Sequence, residues 1–484
     1  MRSVNAMTEE RLVQEITPMH VDFARWYTDI VKKAELIGYT SVRGCCILRP
    51  YACAIWENIQ RILDTEFKRL GHENVVMPML IPESLMQKEK DHVDGFAPEV
   101  AWVTMGGSEE LTERLCIRPT SETLFCEHFA SIIQSYRDLP KLYNQWCSVV
   151  RWEKTTRPFL RTLEFHWQEG HTMHATSDEA MEETRRMLNV YADFAEGDLA
   201  IPVLRGQKTE KEKFAGGVAT FTIEAMMHDG KALQAGTSHF FGDGFAKAFD
   251  ITFTDKDNIV KTPFQTSWGM STRIIGGIIM THGDDSGLVL PPAIAPIQVV
   301  IVPIAAHKGG VMERVDALVE ELKQAGIRVK VDTTDASPGW KFAEYEMKGV
   351  PLRIEIGPRD VEQCSCVVVS RDNREKVCIA LSDVAAQIPD LLEAFRQRLY
   401  NKALDNREGK TRTAHSMKEM VSFSADENFF IRSMWCGKRS CEDAVKEQAG
   451  LTSRVIPFDQ QQVGDTCPVC GEPAQHMIIW GRAY

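Results

Sequence analysis

Long hydrophobic runs are absent from this 484-residue sequence. No segment approaches the roughly 18 to 20 consecutive apolar residues that a membrane-spanning helix needs. The first residues, MRSVNAMTEERLVQEI, lack the apolar centre of a secretory signal and are too acidic for a transit peptide. We therefore expect a cytoplasmic protein that has no membrane partner.

Two familiar nucleotide-binding motifs are also absent. The sequence contains no GxxxxGK[ST] segment, and the closest match to a dinucleotide-binding motif, at Gly242 and Gly244, lacks the third glycine. These absences exclude P-loop and Rossmann-type nucleotide binding. Any phosphate group must be bound in another way.

An excess of basic residues is absent as well. The 56 Lys and Arg residues are outnumbered by 68 Asp and Glu residues, which gives a net charge of −12. This balance argues against a protein that coats nucleic acid, but it leaves room for a local basic groove. The length predicts about three domains of roughly 150 residues each.

The 13 cysteines are dispersed and odd in number, which favours reduced thiols or metal ligands over disulfides. The last four form two pairs, CxxxxC and CPVC. Four thiolates suit a closed, tetrahedral zinc site, and reduced free thiols are the alternative. The four candidates are Cys436, Cys441, Cys467 and Cys470.

The first half of the chain alternates between helical and extended patterns. Apolar residues recur at helical spacing over Asp22–Glu35 and Ile55–Leu70, with Gly71 ending the second helix. The β-branched run Asn74–Leu80 predicts a strand, and the alternation of Phe249, Ile251 and Phe253 predicts another. We expect a mostly antiparallel sheet flanked by helices.

The pattern changes after the prolines at 291, 292 and 296. Strand VVIVPI, a helix from Val311, strand IRVKV, another helix and strand LRIEI follow one another, which predicts α/β packing with at least some parallel pairing. A charged connector near Lys402 leads to the cysteine-bearing tail.

Arginines cluster in SVVRWEKTTRPFLRTLEF, and one more follows in SWGMSTRIIGG. A guanidinium group can bind two phosphate oxygens at once and stays charged, which suits a triphosphate site. Taken alone, an arginine-rich turn of this kind is more often a solvated hairpin than a phosphate-binding site. Its members are Arg151, Arg157, Arg161 and Arg273, with Glu153 among them.

These arginines occur together with CIRPTSE (116–122), EFHWQEGHT (164–172) and KALQAGTSHFFG (231–242). The combination resembles the prolyl-tRNA synthetases, which are class II aminoacyl-tRNA synthetases. The three class II motifs match GHENVVMPMLIP, VVRWEKTTRPFLRTLEFHWQEGH and WGMSTRIIGGIIMTHGDDSGLVLPPAIAP. The similarity extends over essentially the whole chain and is closest to the short archaeal and eukaryotic type.

The resemblance implies an α/β (α+β) fold with three domains. Residues 1–292 would form the antiparallel-sheet catalytic domain, 293–400 the α/β anticodon-binding domain, and 401–484 a small α/β zinc domain. Relatives of the bacterial type insert an editing domain between motifs two and three. The spacing here leaves no room for one, so we expect no editing by this chain itself.

The resemblance also implies a reaction. Proline and ATP would form prolyl-adenylate and pyrophosphate, and the prolyl group would pass to the terminal adenosine of proline tRNA. Arg151 and Arg273 would be catalytic, and Mg²⁺ would accompany ATP, with Glu224 or Gln234 as its protein ligand. The family's ATP contacts fall on Arg151, Glu153, Arg161, Phe165, Gln234, Thr237 and Arg273.

Proline carries a secondary ammonium group and a compact apolar ring. By the resemblance its site would contain Thr120, Glu122, Arg151, Trp167, Glu169, His171, Phe214 and His239. For Trp167 core packing is the alternative. His171 and His174 could instead be a metal pair or part of a surface strand.

The resemblance further implies an anticodon site in the α/β region, where single-stranded bases would be stacked and hydrogen-bonded. Plausible contacts are Trp340, Lys341, Arg353, Arg359 and Arg371, and a solvated surface role is the alternative for each. The terminal Tyr484 would reach back towards the active site. A homodimer formed through motif one is expected, and a trans-editing factor or a multi-synthetase complex is a possible further partner.

Two other functions remain open. A class II synthetase for threonine, glycine or histidine would share the architecture but not RPTSE together with QAGTSH. A non-catalytic paralogue would have lost at least one of Arg151, Glu153, Gln234 and Arg273, all of which are present.

Overall fold

The computed structural model describes residues 16–92 and 99–484. The segment at which the sequence excludes a signal peptide, residues 1–15, lies outside the described residues. An eleven-stranded sheet runs through the molecule. Within the described ranges, no helix combines the length and apolar character needed to cross a bilayer.

The amino-terminal third supplies one end of the large sheet, a hairpin and a separate three-stranded sheet. Its helices are α1 (Phe23–Lys33), α2 (Pro50–Arg69), α3 (Glu83–His92) and α4 (Glu122–Ile132). Its strands are β1 (Ile37–Tyr39), β2 (Cys46–Leu48), β3 (Glu73–Asn74), β4 (Leu80–Pro82), β5 (Trp102–Gly106), β6 (Glu109–Ile117) and β7 (Lys141–Val150).

The central part supplies the strands that carry the long motifs. It contains β8 (Glu164–His174), α5 (Ser177–Gly197), β9 (Val203–Gln207), β10 (Ala219–Met226), β11 (Ala232–Gly242), α6 (Gly244–Ala248), β12 (Phe253–Thr254), β13 (Val260–Lys261), β14 (Phe264–Ser271) and α7 (Arg273–His282). These elements account for the chain between β8 and β14, so no extra domain is inserted there.

The next region contains β15 (Val299–Pro303), β16 (Val329–Val331), β17 (Leu352–Ile356), β18 (Ser365–Ser370) and β19 (Lys376–Ala380). These strands form a five-stranded sheet in the order β16-β15-β17-β18-β19. Strand β15 pairs in parallel with β16 and β17, which confirms the predicted parallel pairing, whereas β18 and β19 are antiparallel. The helices of this region are α8 (Val311–Gln324), α9 (Pro338–Met347), α10 (Pro358–Glu362) and α11 (Val384–Gly409).

The carboxy-terminal region begins at the end of α11, a continuous helix that crosses the expected joint at residue 400. It adds β20 (Thr411–Thr413), α12 (Met417–Phe423), β21 (Phe430–Trp435), α13 (Arg439–Ala449), β22 (Thr452–Pro457) and β23 (His476–Gly481). Its strands do not form a separate sheet. They extend the catalytic one, in the order β20-β21-β23-β22-β9-β10-β11-β14-β8-β7-β3.

Most pairings in this sheet are antiparallel, as predicted; β3 with β7 and β20 with β21 are the parallel ones. Helix α5 lies across β10, β11 and β14 on one face. Its apolar residues join those of α1, α2 and α7 in the largest hydrophobic core. The opposite face of the central strands is therefore left to form a site.

Two predicted strands are not formed as expected. Only the ends of the Asn74–Leu80 run are in strands, because Pro78 has no N–H and the Met77 carbonyl accepts from Arg118 Nη1 at 2.7 Å. Phe249 and Ile251 are buried, but Asp250 between them has a φ of 57°, so the chain turns there and a strand forms only at Phe253–Thr254.

Candidate active site

A cavity of about 170 Å³ lies on the sheet face opposite α5, above β8, β11 and β14. Alternate residues of a strand point to the same face, so Phe165 and Trp167 of β8 lie there together. Across the register, Trp167 faces Ser271 and Glu169 faces Gly269 of β14. The cavity is lined by Thr120, Glu122, Arg151, Phe165, Trp167, Phe214, Gln234, Ala235, Gly236, Thr237, His239, Ser267, Trp268, Gly269, Met270, Ser271 and Arg273.

Two arginines form one side of this cavity. Arg151 Nε donates to the Pro119 carbonyl at 3.0 Å, and its guanidinium carbon lies 5.3 Å from the ring centre of Phe165 and 5.5 Å from that of Trp167. Arg273, the first residue of α7, donates from Nε to the Leu160 carbonyl at 3.2 Å.

Burial lowers the pKa of both guanidinium groups, and the pKa of Arg273 is lowered further by the charge of Arg151. Both groups nevertheless stay charged, because an arginine pKa begins far above neutral. Two partly buried cations that repel each other create a preference for an anion between them.

Carboxylates form the other side. Thr120 Oγ1 donates to Glu122, which lines the cavity, and Glu169 lies behind it. Glu169 accepts from Ser121 Oγ at 2.5 Å and from Gln145 Nε2 at 2.7 Å, and its second oxygen lies 2.9 Å from His171 Nε2.

The pKa values of the two carboxyl groups are shifted in opposite directions. Burial, with the nearby charge of Glu169, raises the pKa of Glu122. Burial also acts to raise the pKa of Glu169, but the hydrogen bond and the charge of His171 leave it below its ordinary value. A cationic ligand placed beside Glu122 would favour its ionised form.

His239 completes this end of the cavity. Its Nδ1 lies 3.0 Å from Thr220 Oγ1, and its ring centre is 4.8 Å from that of Phe214. Burial lowers the pKa of His239 to about 3, and the charges of His171 and Arg151 act in the same direction. The imidazole is therefore neutral at physiological pH and offers a polar but uncharged wall.

The structure corrects the alternatives for His171 and His174. Both are buried in β8, so neither is on a surface strand. Residues three apart in a strand point to opposite faces, which prevents them from binding one metal ion. Trp167 lines the cavity and is not confined to the core.

Three predicted residues lie apart from this cavity. Glu153 and Arg161, 4.0 Å apart, line an adjoining cavity of about 400 Å³ that shares Arg151. Glu224 is fully buried, with Lys208 Nζ 2.7 Å from Oε1 and Arg454 Nη2 3.1 Å from Oε2. Because two cations already occupy its oxygens, Glu224 does not fit the role of a magnesium ligand; Gln234, which lines the cavity, does.

Sequence reasoning missed Lys208 and Arg454, since no local signal connects positions so far apart. It also missed the β14 residues Ser267, Met270 and Ser271. For these a signal existed, because SWGMS has the alternation of a strand beside the β8 motif.

The terminal tyrosine reaches the catalytic domain without lining the cavity. Tyr484 Oη donates to Asp229 Oδ2 at 2.6 Å, and its backbone N–H donates to the Ala232 carbonyl at 3.1 Å. The chain end is thus fixed beside the start of β11.

The four carboxy-terminal cysteines form the one cluster of potential metal ligands found among residues 16–92 and 99–484. Their sulfur atoms all lie within 4.8 Å of one another, with Cys436 Sγ 3.6 Å from Cys441 Sγ and 3.7 Å from Cys470 Sγ. Four convergent thiols that form no disulfide fit a tetrahedral zinc ion.

Three of the predicted anticodon contacts are engaged elsewhere. Lys341 is buried and donates to the Asp332 carbonyl at 2.9 Å. Arg353 bonds to Glu346 and Glu355. Both side chains are buried and bonded within their own domain, which argues against contact with RNA.

Arg371 forms a two-pronged ion pair with Asp284, just after α7, at 2.7 and 2.6 Å. Its side chain is 2% exposed, so it joins two domains and does not face RNA. Trp340 is 45% exposed and Arg359 is exposed, so both stay available.

Comparisons with known proteins agree with this architecture. Three family models match: "tRNA synthetase class II core domain (G, H, P, S and T)" over residues 102–282, "Anticodon binding domain" over 298–391, and "Prolyl-tRNA synthetase, C-terminal" over 417–484. A proline–tRNA ligase of Ruminiclostridium cellulolyticum is 63% identical over 476 residues, covering 98% of this chain and 99% of the relative.

A second relative, "Proline–tRNA ligase 2" of Bacillus cereus strain ZK, is 60% identical over 472 residues, with coverage of 98% and 99%. Among solved structures, the prolyl-tRNA synthetase of Cryptosporidium parvum, crystallised with halofuginone and AMPPNP, superposes with a TM-score of 0.94 at 41% identity and covers 98% of each chain. The chain belongs to the prolyl-tRNA synthetase family, the class II ligases that join proline to tRNA at the expense of ATP.

Proposed function

We propose that ATP and proline condense in the cavity above β8, β11 and β14, with the phosphates at the arginine side and proline at the carboxylate side. The observation that carries this proposal is the position of Arg151. Its guanidinium lies within reach of the charges of Glu122 and Glu169 on one side and of Arg273 on the other. One cation can therefore contact both reacting anions, the proline carboxylate and the α-phosphate.

The reaction needs charge stabilisation and positioning more than covalent chemistry. A carboxylate oxygen of proline attacks the α-phosphorus, the bond to the β-phosphate breaks, and pyrophosphate leaves. Arg151 offsets the repulsion between the two anions and the charge that develops on the α-phosphate. A hydroxyl of the terminal adenosine of tRNA then attacks the carbonyl carbon of prolyl-adenylate, and AMP leaves.

At the nucleotide end, the adenine ring would lie between Phe165 and Arg273, with Gln234 and Thr237 contacting the nucleotide. Glu153 and Arg161 would contact ATP from the adjoining cavity. Magnesium would neutralise charge on the phosphate oxygens when bound, and of its two candidate ligands only Gln234 lines the cavity.

At the amino-acid end, Glu122 and Thr120 would accept hydrogen bonds from the secondary ammonium group of proline. Trp167, Phe214 and His239 would surround the ring, and the neutral His239 adds no repulsion to the ammonium. Glu169 and His171 would hold this end in place from behind.

Beyond the cavity, we propose zinc at the four-cysteine cluster and anticodon contacts that include Trp340 and Arg359. The domain limits 1–292, 293–400 and 401–484 and a cytoplasmic homodimer complete the proposal. The family models for the anticodon domain and the carboxy-terminal domain support this division.

The roles of the two ends of the cavity can be tested separately by measuring pyrophosphate exchange into ATP, which needs no tRNA. Exchange should be strong with proline. It should be weak but detectable with alanine or cysteine, because an apolar pocket disfavours a smaller ligand by only roughly 1 to 3 kcal/mol. Glu122→Gln should raise KM for proline about tenfold or more with little change for ATP, and Arg273→Ala should do the reverse. If each variant changed KM for proline and KM for ATP equally, the assignment of proline and ATP to opposite ends of the cavity would be contradicted.

A further inference from the structure

The segment between β9 and β10, residues 208–218, carries Phe214 into the proline end of the cavity. Thr209 begins the turn that places it there, since the Thr209 carbonyl accepts from the backbone N–H groups of Glu212 at 3.1 Å and Lys213 at 2.9 Å. Any displacement of Thr209 is therefore transmitted to Phe214, only five residues further along.

The start of this segment is fixed by the carboxy-terminal region. Thr209 Oγ1 donates to Glu442 Oε1 at 2.9 Å, and Ser453 Oγ donates to the same oxygen. Next to them, Lys208 Nζ donates to the Arg454 carbonyl at 2.8 Å. The strands of the two regions are also joined, with Ile456 of β22 opposite Gln207 of β9.

These contacts are buried. Thr209, Glu442 and Ser453 are each less than 5% exposed. Glu442 lies in the first turn of α13, whose positive end favours a carboxylate. Hydrogen bonds from two hydroxyls to one buried carboxylate are strong and cannot be replaced by water without rearrangement.

We propose that Glu442 and Thr209 are positioning residues for proline: the carboxy-terminal domain fixes the turn that holds Phe214 against the ring of the amino acid. This inference rests on the proposed role of Phe214 as a wall of the proline site. It assigns to the carboxy-terminal domain a part in substrate recognition, in addition to its own fold.

The matched pair Thr209→Val and Thr209→Ser tests the proposal in the full-length protein. Valine keeps the shape and removes the hydroxyl, so KM for proline in pyrophosphate exchange should rise about tenfold, while KM for ATP stays within about twofold. Serine keeps the hydroxyl and should stay close to the unchanged protein. Glu442→Ala should raise KM for proline in the same way, with recovery in Glu442→Gln, whose amide oxygen still accepts.

Lys211→Ala provides the control. Lys211 Nζ pairs with Asp443 Oδ1 at 2.6 Å between the same two regions, but Asp443 is half exposed, so the loss should change KM for proline less than about twofold. A purely structural role of Thr209 would lower the active fraction and leave both KM values unchanged, which would overturn the proposal. Phe214→Ala distinguishes a failure of the proposed role of Phe214 from a failure of the positioning role of Thr209. If this variant leaves KM for proline unchanged, the proposed role of Phe214 itself is wrong.

Discussion

Arg151 has a fixed side-chain geometry and a positive charge, and replacement by lysine keeps only the charge. Its Nε is bound to the Pro119 carbonyl and its planar face lies over Phe165 and Trp167, so the remaining N–H groups point in a defined direction. Arg151→Lys should lower the proline-dependent exchange rate about 10²- to 10³-fold, because a preorganised donor is lost at the reacting centre. Steady-state exchange measures this directly.

Arg157→Lys is the comparison for that variant. Arg157 belongs to the same motif but lies 5.4 Å from the ring centre of Tyr27 and outside the cavity lining. It should retain most of the activity. If Arg151→Lys retained as much activity as Arg157→Lys, charge alone would suffice at position 151 and the central role of its geometry would be lost.

Three buried histidines and the partly buried His228 make stability depend on pH. Burial lowers the pKa of His174 and His228 to about 4 and that of His239 and His282 to about 3, from 6.5. Their folded pKa values lie below the unfolded value, so unfolding takes up protons. Their contribution to the free energy of unfolding is therefore complete above pH 6.5 and is lost as the pH falls towards 4.

Each of these histidines lowers the free energy of unfolding by about 1.4 kcal/mol for every unit by which the pH falls in that window. The thermal midpoint should fall steadily from pH 6.5 to 5, as measured by calorimetry. His282→Gln, far from the cavity and still able to donate to the Leu199 carbonyl, should reduce the slope by about a quarter. A midpoint that is constant from pH 7.5 to 5 would contradict this account.

Residue positions were predictable where a motif carries them. Arg151, Trp167 and His239 were placed from the sequence, and the structure brings them to one cavity. Glu224 and Arg371 were misjudged because their partners, Arg454 and Asp284, are 230 and 87 positions away. A local pattern shows that a charge is present but cannot show what neutralises it.

Helices and strands followed the apolar periodicity except where side chains took over backbone hydrogen bonds. Helices α1 and α2 form as predicted, with Asp22 capping the first and Gly71, at a φ of 93°, following the second. The interrupted strand near Pro78 and the turn at Asp250 did not follow, because each is decided by tertiary contacts or an unusual backbone angle. Near Asp250 the alternation predicts the burial of Phe249 and Ile251 correctly although no strand forms there, whereas Val76 and Met79 near Pro78 are exposed.

The cysteine cluster is built from three elements that a metal ion would hold together. Cys436 follows β21, Cys441 belongs to α13, and Cys467 and Cys470 precede β23. The purified protein should contain about one zinc per chain, and Cys441→Ser or Cys470→Ser should lower this to below about 0.2 and reduce the thermal midpoint. Elemental analysis with a thermal melt measures both.

Cys378→Ser is the matched control, since Cys378 is also an exposed cysteine but lies in β19, outside the cluster. It should keep both the zinc and the midpoint. Zinc that was absent from gently purified protein, or retained in Cys470→Ser, would contradict the four-thiol site.

The three regions are joined more closely than their separate sequence patterns indicate. The carboxy-terminal strands continue the catalytic sheet through β22 and β9, and Arg371 connects the anticodon-binding region to the segment after α7. Neither connection is local in sequence, so neither could be read from composition or periodicity. The consequence is that substitutions in one region can change binding in another without touching the ligand.

Motif one carries several exposed apolar side chains. Three apolar side chains, at the start of β4 and in the segment just before it, are between 41% and 90% exposed. Exposed apolar groups concentrated in one region are typical of a protein–protein interface. They are Val76, Met79 and Leu80.

We expect this surface to be covered by a second copy of the chain, as proposed for the family's dimers. Val76→Glu places a charge at the most exposed member, so the mass in solution should fall from two chains to one at micromolar concentration, as measured by light scattering. Val260→Glu is the control, because Val260 is 66% exposed on the β12–β13 hairpin, away from this surface, and should leave the mass unchanged. A single-chain mass before any substitution, or a two-chain mass in Val76→Glu, would show that the apolar surface near motif one is not the dimer interface.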